Sequence, residues 1–153
     1  MEEVNRENYS KIIQYIDHNP AAVLGTVGDD GPHGSVVYVV TATGRTVCFV
    51  TKDQSRKYTN LMANPKVSLT FLNEKEGSTL QATGNAFVAD DPGLKEMALD
   101  RVTKMHAMMS GWVPPVTKLA SGQYVVIGVD MDRATLTEYA DLGVGGPIIT
   151  TIE

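Results

Sequence analysis

The stretch from residue 51 to residue 71 constrains the fold of this chain more than any other. It begins at the end of an apolar strand, continues through a polar turn and a short helix over 55–63, and ends in a second strand. Asn64 and Pro65 end the helix, because the residue before a proline avoids the helical conformation. A short helix is therefore held between two strands, and its first turn directly follows a strand end.

Three cations lie in the first turn of this helix or just before it. Lys52, Arg56 and Lys57 occur within six residues, and Ser55 stands at the helix start. Backbone N–H groups at a helix N-terminus attract anions, and neighbouring cations and hydroxyls add charge-assisted hydrogen bonds. The pattern predicts a phosphate site. A solvated basic turn has the same spacing, and the residues alone do not separate the two interpretations.

Composition limits the class of protein. The chain has 153 residues, of which 42% are hydrophobic and 20% charged, and its net charge is −5. These values are ordinary for a single globular domain. An acidic chain lacks the basic face that nucleic-acid binding requires, so we do not expect nucleic acid as the main partner.

The lone cysteine bears on the cellular compartment. Cys48 lies within the apolar run 47–50 and is predicted to be a reduced, buried packing residue. A single cysteine cannot form a disulfide framework or a thiolate metal cluster. We find no signal-peptide pattern and no apolar run of membrane-spanning length, so we expect a cytoplasmic protein with no membrane partner.

Short β-rich runs separated by turn residues dominate the chain. Strands are predicted, in chain order, over 21–28, 34–41, 45–51, 66–73, 78–89, 123–131 and 134–139. The first three have tight connections and are expected to form an antiparallel meander. Gly84, in the middle of the fifth strand, indicates a β-bulge or a bend.

Helices flank this strand-rich region. Apolar residues recur at helical spacing over 5–18 and again over 92–109. The chain is therefore predicted to be mainly β, a six- to seven-stranded antiparallel β-barrel with flanking helices. One domain is expected over 1–140, followed by an extended C-terminal tail over 141–153.

The second predicted strand is apolar on both faces. Ser35 and Val37 share one face, and Val36 and Tyr38 share the other. A barrel whose outer wall is also apolar needs a cover, which a helix or a second subunit provides. We therefore expect a homodimer.

Three segments, in order within residues 20–90, carry a family pattern. They are residues 22–27 with 30–33, residues 49–57 with 64–71, and residues 80–86. In these segments the chain resembles the pyridoxamine 5′-phosphate oxidase-like family of FMN-binding split barrels. The resemblance implies a split β-barrel of Greek-key topology with FMN as cofactor, bound in a groove between the two subunits of a homodimer.

The resemblance also implies roles for particular residues. Family members hold the phosphate at the first turn of the short helix, place the flavin ring beside two strands, and add contacts from the partner subunit. The matching residues are Ser55, Arg56 and Lys57 for the phosphate, Ser35, Val36, Val37, Val50 and Thr51 beside the ring, and Thr79 or Gln81 across the interface.

The chain departs from the pattern of the true oxidases. Ser35 and Val40 stand where those oxidases have Arg and Lys, and residues 140–153 contain no Trp, Arg or His of the kind that grips pyridoxal phosphate. Oxidation of pyridoxamine phosphate is therefore not expected. The resemblance implies an FMN-dependent oxidoreductase or flavin reductase that transfers hydride or electrons to or from another small molecule.

Two other classes of function remain open. One is a non-enzymatic FMN carrier or sensor. The other is a split barrel that uses F420 or haem instead of FMN. The long anionic tail of F420 would need more cations than Lys52, Arg56 and Lys57 provide, and haem would need an axial ligand, for which His33 and His106 are available.

No catalytic residue is assigned from the sequence. His33 follows a turn and is expected at the surface, and isolated histidines do not form a metal site. Met105, Met108, Met109 and Trp112 either line an apolar pocket above the flavin or pack against the rest of the fold.

Overall fold

The computed structural model describes residues 2–108, 122–139 and 145–153. Three helices separate groups of consecutive strands along these segments. Their order is α1 Glu2–His18, β1 Ala21–Gly28, β2 Gly31–Tyr38, β3 Val40–Thr41, β4 Thr46–Lys52, α2 Arg56–Ala63, β5 Lys66–Asn73, β6 Ser78–Val88, α3 Pro92–Met108, β7 Tyr124–Glu138 and β8 Ile148–Ile152.

The strands form one antiparallel sheet that curls into a split barrel. The order across the sheet is β2-β1-β5-β6-β7-β4-β3, and β8 pairs with β7. The two edge strands, β2 and β3, are separated in sequence only by Val39. The sheet must curl so that its two edges meet at this residue. The prediction of a mainly β, antiparallel split barrel with flanking helices is therefore confirmed.

The expected meander is interrupted at Val39, because only Val40 and Thr41 of the predicted second strand pair with β4 across the predicted turn. Strands β1 and β2 form a hairpin that pairs Ala21 with Tyr38 and Gly28 with Gly31. The chain then leaves this hairpin at Val39, whose N–H donates to the carbonyl of Pro20 at 2.8 Å. As a result β4 pairs with β3 and β7, not with β2. Strand propensity does not reveal such a break, because Val39 is as favourable in a strand as its neighbours.

The predicted irregularity at Gly84 is confirmed as a β-bulge. Thr83 pairs with Arg133 and Gly84 pairs with Met131, so Asp132 is the additional residue. A side-chain carbon at position 84 would overlap the carbonyl oxygen of Asp130. The bulge also explains why two separate strands were predicted over 123–131 and 134–139. They are one strand, β7, interrupted at Asp132.

The C-terminal segment contributes a strand that was not predicted. Within the segment expected to be an extended tail, β8 pairs with β7 over Ala134 to Glu138. Its last residue, Ile152, is buried in the core. The guanidinium of Arg45 donates to the carbonyl of Glu153 at 2.9 Å. This segment is therefore part of the barrel wall.

Two apolar clusters lie on the two sides of β4. The larger one fills the barrel, where Ile12 and Ile16 of α1 pack against residues such as Phe49. The smaller one lies between β4 and α3 and contains Cys48 and Ala98. Burial on both faces explains why β4 is continuously apolar. Cys48 is fully buried as predicted, and burial raises the pKa of its thiol to about 11.

The helices were also predicted to lack a membrane-spanning segment. In the described residues, none of them has the length and apolar content needed to cross a bilayer.

Candidate functional site

Ser55 marks the start of α2 and fixes the local geometry. Its backbone is extended, with φ −85° and ψ 153°, and its Oγ accepts a hydrogen bond from the N–H of Tyr58 at 3.3 Å. Its own N–H donates to the carbonyl of Lys52 at 3.0 Å. A serine in this conformation is a standard N-cap, so the helix begins here for a local chemical reason.

The first turn of α2 has a positive electrostatic character. The N–H groups of Arg56 and Lys57 are among those that an α-helix cannot satisfy internally. The first turn contains no acidic side chain. Two cationic side chains therefore lie at the positive end of the helix dipole, an arrangement that favours an anion.

Neither cation forms a salt bridge within the described part of the chain, although Arg56 is close enough to Asp30 to help lower the pKa of that carboxyl. The ion pairs there join Lys11 to Glu138, Lys104 to Asp100 and Arg133 to Glu153, while Asp30 contacts the imidazole of His33. Arg56 is exposed, whereas Lys57 is half-buried, and burial lowers the pKa of its ammonium group. A bound anion would offset this desolvation of Lys57.

Thr51 extends the polar surface beneath the helix start. It is fully buried, and its Oγ1 lies 3.0 Å from Ser55 Oγ. The neighbouring Val50 faces the opposite side of β4 and belongs to the cluster under α3. Thr51 therefore places its side chain beside Ser55, whereas Val50 can reach a ligand there only through its backbone.

Lys52 is oriented differently from the other two cations. Its side chain is 8% exposed, and its ammonium lies 4.6 Å above the centre of the Tyr124 ring. This is a cation–π geometry. The cluster of three cations predicted from the sequence is therefore divided, with Lys52 on Tyr124 and the other two at the first turn of α2.

The three predicted residues of β2 do not present their side chains to one surface. Ser35 is half-buried and Val37 is buried on the inner face, while Val36 is 46% exposed on the outer face. This follows from the alternation of side chains along a strand. A ring lying along this strand could contact the backbone of all three residues but the side chains of only one face.

Thr79 and Gln81 lie on the outer wall of the barrel. Neighbouring strands pair Val36 with Val23, Val23 with Thr70, and Thr70 with Gln81. This row puts Gln81 on the same outer face as Val36. Three strand spacings separate the two residues, which corresponds to about 14 Å. The fold of a single chain therefore does not bring Gln81 next to β2.

His33 belongs to the neighbourhood of the site, although the sequence indicated only a surface position. Its Nε2 lies 2.6 Å from Asp30 Oδ1, and its Nδ1 lies 3.5 Å from Arg56 Nη1. The contact joins residues that are 23 positions apart in sequence. No signal in the sequence indicated this contact, because the strand was predicted to begin at residue 34, whereas β2 begins at Gly31 and includes His33.

Other predicted features lie outside the part of the chain that the structure describes. They are the side chains of His106 and Met108, and Met109 and Trp112 as whole residues. Within the described residues, His, Cys, Asp and Glu side chains do not form a group of three that could hold a metal ion.

Solved structures with the same fold come from several bacteria. General stress protein 26 from Bacillus anthracis str. Sterne is 24% identical, with a TM-score of 0.62 over 85% of this chain and 91% of that chain. A NimC/NimA family protein from Clostridium acetobutylicum is 17% identical, with a TM-score of 0.67 over 99% and 96%. A pyridoxamine 5′-phosphate oxidase-related, FMN binding protein from Nostoc punctiforme PCC 73102 is 12% identical, with a TM-score of 0.62 over 92% and 87%.

Family membership rests on the sequence itself, because structural likeness at such identities shows the fold alone. Comparison with curated protein sequences gives no significant match. The family model described as pyridoxamine 5′-phosphate oxidase, however, matches residues 10–138. This match includes the N-cap Ser55, both cations of the first turn and every strand from β1 to β7. The chain therefore belongs to the pyridoxamine 5′-phosphate oxidase family.

Proposed function

We propose that this chain binds FMN, with the phosphate at the first turn of α2, and acts as an oxidoreductase on a small molecule. The observation that carries the proposal is the environment of Lys57. Its ammonium is half-buried at the positive end of a helix and has no carboxylate partner in the described part of the chain. A phosphate would provide the missing negative charge.

The donors at this position fit a phosphomonoester. Ser55 and Thr51 offer hydroxyls, Arg56 and Lys57 offer their N–H groups, and their side chains offer two positive charges. The planar guanidinium of Arg56 suits bidentate binding of phosphate oxygens, whereas the ammonium of Lys57 acts as a point charge. The buried position of Thr51 keeps water away from the base of the site.

The remaining predicted residues have supporting roles. The backbone of Ser35, Val36, Val37 and Val50 would provide hydrogen bonds to the polar edge of the ring. FMN, when bound, supplies hydride or electron transfer, and the protein sets its position and electrostatic surroundings. Family membership supports this proposal, as does the shared fold with the FMN binding protein from Nostoc punctiforme.

A second copy of the chain is proposed as the partner. The outer wall exposes large apolar side chains, among them Val23 at 47%, Val36 at 46% and Leu72 at 63%. Val23 and Val36 are paired across β1 and β2, and exposed apolar surface of this kind is characteristic of an interface. Thr79 and Gln81 lie on the same wall, too far from β2 to complete a site within one subunit. A twofold-related copy would bring them to the flavin of its partner.

The substrate differs from pyridoxamine phosphate in this proposal. Val40 stands where the true oxidases have a lysine, and it is 4% exposed in the cluster between β4 and α3. A cation at this position would be buried among apolar side chains. The chain therefore lacks both the cation and the space for it.

The proposal is tested by the visible absorption spectrum of the purified protein and by titration with FMN. The variant Arg56→Ala with Lys57→Ala should weaken FMN binding about 100-fold or more, since two charge-assisted contacts are lost. The matched control is Arg6→Ala with Lys75→Ala, which removes the same charge from exposed positions. Equal FMN affinity in both double variants would contradict the phosphate assignment.

Anaerobic addition of NADH or NADPH then tests the activity. Bleaching of the flavin spectrum supports an oxidoreductase. If neither NADH, NADPH nor a chemical donor of similar potential reduces the bound flavin, the proposed oxidoreductase activity is contradicted. A carrier or sensor is then favoured. A protein that binds no FMN contradicts the cofactor assignment, and F420 and haem are then the next ligands to titrate.

A further inference from the structure

His33 occupies a position that the backbone has shaped for it. It is the third residue of β2, which follows the turn at residues 29 and 30, and it lies opposite Thr26 of β1. A side-chain carbon on Gly28 would come within 2.8 Å of His33 Cδ2 and 2.9 Å of Nε2. The imidazole therefore packs against the backbone of Gly28, and the side chain of His33 is only 23% exposed.

Asp30 fixes the protonation pattern of this ring. The carboxylate can only accept, so the 2.6 Å contact with His33 Nε2 requires that this nitrogen carries the proton. The hydrogen bond to His33 is the largest cause of the lowered pKa of Asp30. A neutral imidazole that is protonated at Nε2 leaves a lone pair at Nδ1.

The Nδ1 lone pair faces the guanidinium of Arg56. Arginine has only donors, and its Nη1 lies 3.5 Å from His33 Nδ1. With the neutral ring protonated at Nε2, donation runs from Arg56 to His33 and from His33 to Asp30. Arg56 is otherwise an exposed side chain at the start of α2.

We propose that His33 is a positioning residue of the phosphate site, which holds the guanidinium of Arg56 beside the first turn of α2 and is itself oriented by Asp30. The inference rests on the proposed binding of FMN. It extends the site from α2 to the β1–β2 hairpin, which the sequence resemblance does not link to the phosphate. Preorganisation of a long side chain before binding improves affinity because less conformational freedom is lost.

If His33 has this role, its replacement should affect the affinity only for ligands that carry the phosphate group. Loss of the His33 contact should weaken binding of FMN and leave binding of riboflavin, which has no phosphate, unchanged. A residue that merely stabilises the hairpin would affect both ligands alike. The ratio of the two dissociation constants therefore separates positioning from a general structural effect.

Two variants of His33 each retain one of its two contacts and remove the other. In His33→Asn the amide oxygen can occupy the place of Nδ1 and accept from Arg56. In His33→Gln the amide nitrogen can occupy the place of Nε2 and donate to Asp30, but the acceptor for Arg56 is lost. We expect His33→Gln to weaken FMN binding about tenfold, the equivalent of one charge-assisted hydrogen bond, and His33→Asn to have a smaller effect.

Combination with Arg56→Ala completes the test. If His33 acts through Arg56, His33→Gln should weaken FMN binding no further once Arg56 is removed. Additive effects, or equal losses of FMN and riboflavin affinity, would overturn the inference. Circular dichroism of each variant confirms that the fold is retained.

Nitrogen-15 NMR of the histidine rings distinguishes this inference from the proposed function. Arg56→Ala should change the Nδ1 shift of His33, and Asp30→Asn should change its tautomer balance, whether or not FMN binds. If the protein binds no FMN but both shifts respond, the proposed function fails and the contact stands. If neither shift responds, the positioning role is wrong even in a protein that binds FMN.

Discussion

The hydroxyl oxygens of Thr51 and Ser55 lie 3.0 Å apart, and both residues are buried where β4 passes into α2. Each hydroxyl thus provides a partner for the other in an environment where an unpaired polar group is costly. Ser55 Oγ also caps α2 through the N–H of Tyr58. The pair therefore connects the end of a core strand to the first turn of the helix that carries the two cations.

Replacement of Ser55 by alanine should destabilise the protein by roughly 2 kcal/mol, because it removes the N-cap and leaves the hydroxyl of Thr51 unpaired. Urea unfolding measures the change. The control is Ser10→Ala in the exposed part of α1, which should alter the stability by less than about 0.5 kcal/mol. Thr51→Val combined with Ser55→Ala should cost less than the sum of the two single changes, and strict additivity would contradict the pairing.

Local chemistry made part of the site predictable from the sequence. Ser55, Arg56 and Lys57 are adjacent, and a cap followed by cations is visible without any knowledge of the fold. The strand over 66–73 was also predicted with the bounds it has, because Pro65 and the polar loop after Asn73 delimit it. Such features depend on neighbours along the chain.

The features that the sequence did not reveal depend on tertiary contacts. The approach of His33 to Arg56 requires α2 to pack beside the β1–β2 hairpin. The pairing of β8 with β7 and the break at Val39 are set by barrel closure, which neither strand propensity nor hydrophobic periodicity records. The roles of Thr79 and Gln81 require a second subunit and remain predictions.

Gly84 provides a test of the bulge between β6 and β7. Gly84→Ala should destabilise the protein by about 2–3 kcal/mol, since its side-chain carbon would meet the backbone of Asp130, which cannot move without disturbing the sheet. Gly34→Ala is the matched control, because the nearest atom there is a Val23 methyl carbon at 3.4 Å. Chemical denaturation of both variants checks this, and equal stabilities would show that the bulge is adaptable.

Because of Cys48, the free energy of unfolding should depend on pH in the alkaline range. The folded thiol keeps its proton up to about pH 11, whereas an unperturbed thiol loses it near 9.0. The folded state therefore binds more protons between these values, so the free energy of unfolding falls as the pH rises through this window, by roughly 2–3 kcal/mol in total.

The variant Cys48→Ala isolates this effect. It lacks the titrating thiol but retains the tyrosines and lysines that also titrate at high pH. The stability difference between the wild type and the variant should shrink by about 1.7 kcal/mol from pH 8.5 to 10.5, the part of the total that falls within this range. A constant difference over this range would show that the buried thiol does not contribute to the pH dependence.

Leu72 tests the proposed subunit interface on the outer wall of the barrel. It is 63% exposed and pairs across strands with Thr79, one of the two residues expected to reach the partner's flavin. A glutamate at this position would place a charge in the apolar interface, where desolvation is costly. Leu72→Glu should therefore yield a monomer in sedimentation velocity at micromolar concentration. It should also bind FMN more weakly, because Thr79 and Gln81 of the second copy are lost.

The control is Val4→Glu, at a position 59% exposed on α1, which adds the same charge elsewhere and should leave a dimer. A wild-type monomer, or a dimeric Leu72→Glu variant, would show that this wall is not the interface.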